Sequence, residues 1–218
     1  IDILHGLGVR SMGICYSESN TLGDGLHEMR DGGLTDVGYD AVVRMNKVGI
    51  IIDVSHGGDV TAMDTIEASK DPICISHRGS RTLTNSTRML PDEVLQACAE
   101  KGGILGIEVA GFGLRTQKHP EASIEGFLEH MEYSIKLLGI DHVGAGPDTL
   151  YGDHAELYRN MDRTRAEGGY GHYSRPRPEG TVKQHSKQRS VMIQGLDYIK
   201  GLESPSDFQN IIQGLVRD

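Results

Sequence analysis

At 218 residues the chain has the length of one sizeable domain, or a large part of one. A net charge of −9 without any polybasic run argues against nucleic acid and anionic membranes as partners. No apolar run approaches the ~20 residues that a membrane span requires. Three scattered cysteines, Cys15, Cys74 and Cys98, argue against a disulfide framework and for a reducing compartment, so the cytoplasm is the expected location. No signal peptide opens the sequence, but it starts with Ile rather than Met.

Taken in chain order, residues 1–8 read as the tail of a helix and residues 9–15 as a strand. A loop rich in Gly, Ser, Asn and Asp follows over 16–35, without a packing pattern and shaped by Asn20 and Asp24. Asp36 is placed to cap a helix carrying Val37, Ala41, Val42, Met45 and Val48, which Gly49 ends. Strand 50–54, helix 60–70 behind Asp59, and strand 73–75 come next. Residues 78–90 form a polar loop. Pro91, Asp92 and Glu93 suit the first turn of a helix that stops at Gly102-Gly103. Strand 104–109 precedes an amphipathic helix after Ser123, with Ile124, Phe127, Leu128, Met131, Ile135 and Leu138 on one face. Strand 142–146 runs into Pro147-Asp148. Residues 149–188 lose apolar spacing and read as a lid or inserted loop. Residues 190–200 and 206–216 predict two C-terminal helices.

The alternation gives five βα units, and hence a parallel sheet with helical crossovers. The stretch 49–88 organises it. Ile50–Val54 and Ile73–Ile75 are apolar runs suited to strands buried on both faces, and each ends in Ser-His. Residues just past parallel strand C-termini form the active rim. His56 and His77 therefore fall on one rim, one strand apart. With strands ~4.8 Å apart, two imidazoles there can reach one metal ion.

Five segments carry a resemblance that spans nearly the whole chain: LGVRSMGICYSESNTLGDG, GGLTDVGYDAVVRMNKVGIIIDVSH, PICISHRGSRTLTNSTRMLPDEVLQACAEKGGILGI, LLGIDHVGAGPD and, more weakly, GLESPSDFQNIIQGLVRD. The most specific feature is the pair DVSH and ISH, with an arginine eleven residues beyond the second histidine. The sequence resembles the renal (membrane) dipeptidase family of metallopeptidases, peptidase family M19. The resemblance implies an α/β fold of the (β/α)8 TIM-barrel type, related to the amidohydrolases. Here five βα units plus C-terminal helices would form an incomplete barrel, a single domain over 1–218. The family's first-strand His-x-Asp pair and its third-strand bridging glutamate have no counterpart in these residues. The expectation is a shortened chain that packs against a further N-terminal segment or self-associates.

The resemblance implies zinc, two ions per site in complete members, with His56 and His77 as ligands of the second. It implies that Asp148 relays the proton from the zinc-bound hydroxide to the leaving amine. It gives Arg88 the substrate's terminal carboxylate, with Arg81 of the same loop as the rival, and it places Tyr16 near the tetrahedral oxygen. The implied activity is hydrolysis of dipeptides or similar small amides. The rivals are an amidohydrolase-like lactonase or amidase, and an inactive, metal-poor remnant of the family. His142, His5 and His130 read as structural. The other histidines read as solvated loop residues.

Overall fold

The computed structural model describes residues 1–110, 113–149, 199, 201–202 and 204–215. The segment expected to be a lid, beyond Thr149, lies outside the described residues, as does the expected helix 190–200 apart from Ile199.

Among the described residues the chain alternates helix and strand: α1 (Asp2–Gly6), β1 (Ser11–Gly13), α2 (Asp36–Val48), β2 (Ile51–Asp53), α3 (Asp59–Ala68), β3 (Cys74–Arg78), α4 (Asp92–Glu100), β4 (Ile104–Ile107), α5 (Ile124–Leu138) and β5 (Val143–Ala145). A final helix, α6 (Gln209–Leu215), follows a short 3-10 turn and packs on α5. The strands form one parallel sheet in the order β1-β2-β3-β4-β5, so every crossover leads to the next strand. This is the five-unit α/β architecture expected from the alternation.

The two faces of the sheet differ. Ile52, Ile75, Leu105 and Ile107 point to one side and are fully buried under Val42 and Met45 of α2, Ile66 of α3, Leu95 of α4 and Phe127 of α5. Each such buried side chain contributes roughly 1.5–3 kcal/mol. The alternate positions point to the other side, where Ile51 is 54 % and Ile104 45 % exposed. That side is the inner face of a barrel sector, and it carries the polar residues of the site.

Local chemistry sets the ends of the elements, not always as the spacing predicts. Helix α2 is capped by Thr35, whose hydroxyl accepts from Gly38 N, rather than by Asp36; it ends as expected at Gly49, in the left-handed region at φ 78°. Helix α3 has Gly58 at its cap and no side-chain cap of its own. Asp31 reaches in from the preceding loop and accepts from Val60 N at 2.6 Å and from the Thr61 hydroxyl at 3.0 Å. Asp59, the expected cap, instead pairs with Arg81 at 2.5 and 2.8 Å.

Strand β1 is shorter than the predicted 9–15. The Ile14 carbonyl accepts from Asn20 Nδ2 at 2.9 Å instead of extending the ladder. The loop that follows is packed, contrary to the absence of a visible pattern: Leu26 and Leu34 are buried within it. Asn20 and Asp24 do shape it, Asn20 accepting from Leu22 N and Asp24 from the Ser19 hydroxyl and Gly32 N. Strand β4 stops at Ile107, two residues before the predicted end, and β5 begins at Val143 after a 3-10 turn over Ile140–His142.

Candidate metal centre

Strand β3 runs further than its apolar core, through Ser76-His77 to Arg78. The extension is irregular. Ile75 pairs with Leu105 and Arg78 with Ile107, so Ser76 and His77 together oppose the single residue Gly106. Such a bulge bends the strand and re-aims a side chain. A Cβ on Gly106 or on Gly146 would overlap the Ser76 carbonyl oxygen. Glycine at these two positions lets β4 and β5 approach the bulged strand end.

The bulge turns His77 toward His56, and their Nε2 atoms lie 3.0 Å apart. Asp148, which follows β5, places Oδ2 3.8 Å from His77 Nε2. Its backbone lies in the left-handed region at φ 55°, the only non-glycine there among the described residues. Aspartate tolerates that conformation better than most side chains. The ring of Tyr16, 56 % exposed, stacks on the His56 ring with centroids 4.1 Å apart. Thus the structure gathers His56, His77, Asp148 and Tyr16 on one rim.

The remote nitrogens of both imidazoles are held by hydroxyls. His56 Nδ1 lies 3.1 Å from Ser17 Oγ, and His77 Nδ1 lies 2.6 Å from Ser76 Oγ. Asp53, at the end of β2, decides the second contact. Its carboxylate accepts from Ser55 N (2.9 Å), the Ser55 hydroxyl (2.5 Å), Ser76 N (3.3 Å) and, in a very short bond, the Ser76 hydroxyl. With its proton committed to Asp53, Ser76 Oγ accepts from His77 Nδ1–H. His77 Nε2 therefore keeps its lone pair on the side facing His56, the tautomer a metal ligand needs.

Burial keeps both rings neutral. His56 is pushed down to about 2 and His77 to about 4, chiefly by desolvation and then by the charge of Arg88; Asp148 and Asp53 pull His77 partly back. Neutral imidazoles with converging Nε2 atoms fit a shared cation. Two metal–nitrogen bonds of ~2.0–2.1 Å span the observed separation at a ligand angle of about 95°. A catalytic zinc takes about three protein ligands. Among the described residues no group of three or more His, Cys, Asp or Glu is arranged to hold a metal. The pair is a partial ligand set.

Behind the histidines lies a charged floor. Arg78 is completely buried and donates to the carbonyls of Ser55 at 2.7 Å and Gly57 at 2.8 Å. Arg88 donates to the same Ser55 carbonyl at 2.6 Å and to the His77 carbonyl at 2.8 Å, and its Nη2 lies 2.9 Å from Glu108 Oε2. Glu108 follows β4 directly. Burial pushes its carboxyl up to about 7, with Arg88 pulling the other way. The structure thus sets Arg88 just behind the site, fixing the strand ends that carry both histidines, and does not bring its guanidinium out among them. Arg81 is tied to Asp59 and to the Ser86 and Met89 carbonyls.

Sequence reasoning missed Asp53, Ser17, Arg78 and Glu108. A signal existed for two of them. Asp53 stands two residues before Ser55, the spacing of an Asx turn, and Glu108 is an isolated charge closing an apolar run. The cysteines are free as expected, and burial pushes the Cys15 and Cys98 thiols up to about 12.

A parallel βα sheet that carries a histidine pair and a carboxylate on its C-terminal rim has the architecture of barrel-type hydrolytic sites. The chain belongs to the membrane dipeptidase family, peptidase family M19, whose sequence model matches residues 1–157. It is 32% identical over 146 residues to a dipeptidase of Aspergillus oryzae, covering 66% of this chain and 35% of that protein. It is 29% identical over 184 residues to the uncharacterized protein in the pqqA 5′ region of Klebsiella pneumoniae, covering 77% of this chain and 68% of that one. The crystal structure of an amidohydrolase from Pseudomonas aeruginosa superposes on 99% of the chain with a TM-score of 0.80 at 28% identity, the match covering 60% of that structure. The chain thus spans about a third of the Aspergillus dipeptidase and three fifths of the Pseudomonas amidohydrolase.

Proposed function

We propose that this chain carries part of the active site of a zinc-dependent hydrolase that cleaves the amide bond of dipeptides or similar small amides. The observation that carries this is the convergence of His56 and His77, Nε2 to Nε2 at 3.0 Å, beside the Asp148 carboxylate. His56 and His77 would hold the ion through Nε2, the His77 tautomer set by the Ser76–Asp53 pair and the His56 ring steadied by the Ser17 hydroxyl at Nδ1. A bound zinc ion supplies Lewis acidity toward a carbonyl oxygen and makes water easier to deprotonate.

The chain's own groups supply the rest. Asp148 Oδ2 stands at the edge of the rim, where it can take a proton from water and pass it to the leaving amine. Its position after β5, on the rim and off the sheet wall, is what such a relay requires. Tyr16 walls the site beside His56 and offers a phenolic donor to a developing oxyanion. Arg88 and Arg78 act on the ring positions through the Ser55 carbonyl, which both grip. The proposal therefore rests on the histidines and Asp148 and needs no carboxylate clamp.

The test is a hydrolysis panel of dipeptides and lactones with added zinc, run on the wild type and on Asp148→Asn. Dipeptide cleavage that falls about 10²–10⁴-fold in the variant supports the relay. Lactone cleavage without peptide cleavage moves the protein to another amidohydrolase-like substrate. No zinc bound and no turnover of either class refutes the proposal.

A further inference from the structure

The histidine pair stands among Arg78, Arg88, Asp53, Asp148 and Glu108. Arg78 donates to the carbonyls of Ser55 and Gly57, on either side of His56, and Arg88 to those of Ser55 and His77. Asp53 reaches the pair through the Ser76 hydroxyl, and Asp148 places Oδ2 3.8 Å from His77 Nε2. These two cations and two anions cancel. The imidazoles are neutral and bring no charge. Without Glu108, a cation held by the pair would meet no net negative charge.

Glu108 owes its place to the strand. It is the first residue after β4, and its backbone N–H donates to the Arg78 carbonyl at 3.1 Å. Strand β4 lies between β3, which carries His77, and β5, which leads to Asp148. The Glu108 side chain is 1 % exposed, and its Oε2 lies 2.9 Å from Arg88 Nη2. Neither carboxylate oxygen has a hydrogen bond, and Arg78 Nη1 is likewise buried without one. Gly113 makes room for the carboxylate: a Cβ there would overlap Glu108 Oε1. A buried carboxylate that accepts no hydrogen bond contributes charge rather than a brace, and burying it is costly. Arg88 and Arg78 favour its ionised form, and Asp148 opposes it.

We propose that Glu108 is the charge-balancing residue of the metal centre: its carboxylate offsets the two guanidiniums behind His56 and His77, and so sets how tightly the pair holds a divalent cation. This rests on the zinc site of the proposed function, but not on hydrolysis. The rings are positioned by Arg78, Arg88 and the Ser76–Asp53 pair through bonds that do not involve Glu108. Its charge can therefore be removed without releasing them. At an effective dielectric constant of ~20, one unit charge ~10 Å from a dication changes affinity by more than tenfold. Linkage makes the effect reciprocal: if the carboxylate favours the ion, the ion lowers the carboxyl pKa by the same free energy, one pH unit for each tenfold.

The experiment measures zinc affinity at pH 8 by chelator competition, without reference to turnover. Glu108→Gln is expected to weaken it at least tenfold, and the charge-conserving Glu108→Asp to keep it within threefold. Leu95→Ala, a core change under the opposite face of the sheet, controls for lost stability and should also stay within threefold. A second arm uses the wild type alone and follows the Glu108 carboxyl by ¹³C NMR, with and without zinc. Zinc should lower its titration midpoint by at least about one pH unit. Affinity of Glu108→Gln within twofold of wild type overturns the proposal, as does an equal loss in Glu108→Asp or Leu95→Ala. Should Glu108→Gln fail to fold, the carboxyl titration decides: a midpoint that zinc leaves unmoved overturns the proposal. A wild type that binds zinc but cleaves no substrate refutes the hydrolase reading and leaves this test intact; one that binds no zinc overturns both.

Discussion

Replacing Asp53 with asparagine changes one atom's hydrogen-bonding sense, and the change should reach the metal side of His77. Asparagine keeps an acceptor for the Ser55 hydroxyl. Its amide nitrogen takes the place of the oxygen that accepts from Ser76 and must donate there instead. The Ser76 hydroxyl, deprived of Asp53, turns its proton to His77 Nδ1 at 2.6 Å. His77 then carries its proton on Nε2, facing His56, and loses the lone pair that a cation would use. Two magnitudes follow. Loss of a charge-assisted hydrogen bond costs about 1.5–3 kcal/mol of stability. Loss of an outer-shell partner of a ligating histidine costs about 10–100-fold in metal affinity. The assay reads the His77 tautomer by ¹⁵N NMR in the metal-free protein, then zinc affinity by chelator competition, with urea denaturation for stability. A variant whose His77 keeps its proton on Nδ1, or whose zinc affinity stays within twofold of wild type, refutes the reasoning.

Acidification should destabilise the protein. Burial holds His56 near about 2, His77 near about 4 and His130 near about 4, so the unfolded chain takes up protons that the folded state refuses. Stability falls below the ordinary histidine value of ~6.5, by at most ~1.4 kcal/mol per pH unit for each ring. Glu108 acts oppositely: raised from 4.5 to about 7, it gains stability on acidification across that interval. With three groups against one, the urea midpoint should fall from pH 6.5 to pH 5, and a flat or rising midpoint contradicts the assignment. At the start of α3, Asp31→Ala should cost about 1 kcal/mol as a lost cap. Asp59→Ala should cost less than about 1 kcal/mol, since it loses only a part-exposed ion pair with Arg81. Chemical denaturation giving the reverse order would return the capping role to Asp59.

The letters of the chain carry the frame of this site but not its support. Apolar runs ending twice in Ser-His locate β2, β3 and the histidine pair, because strand burial and rim position both follow from local sequence. The bulge that aims His77 at His56 depends on Gly106 and Gly146 making room, which no local pattern announces. Asp53 closes an apolar strand and binds a serine 23 residues away, so its role appears only when β2 and β3 are side by side. Arg88 and Glu108 are likewise 20 residues apart in sequence and meet only through the β3–β4 pairing. The loop 16–35 lacks a periodic pattern because Asn20, Asp24 and Asp31, rather than a regular apolar face, fasten it.

Zinc-edge anomalous diffraction from crystals grown with the metal asks the central question outright. One peak within bonding distance, ~2.0–2.1 Å, of the Nε2 atoms of both rings is the expected result. A peak on one ring alone, or density elsewhere with both imidazoles bare, would mean that His56 and His77 share no ion and that the hydrolytic account is wrong.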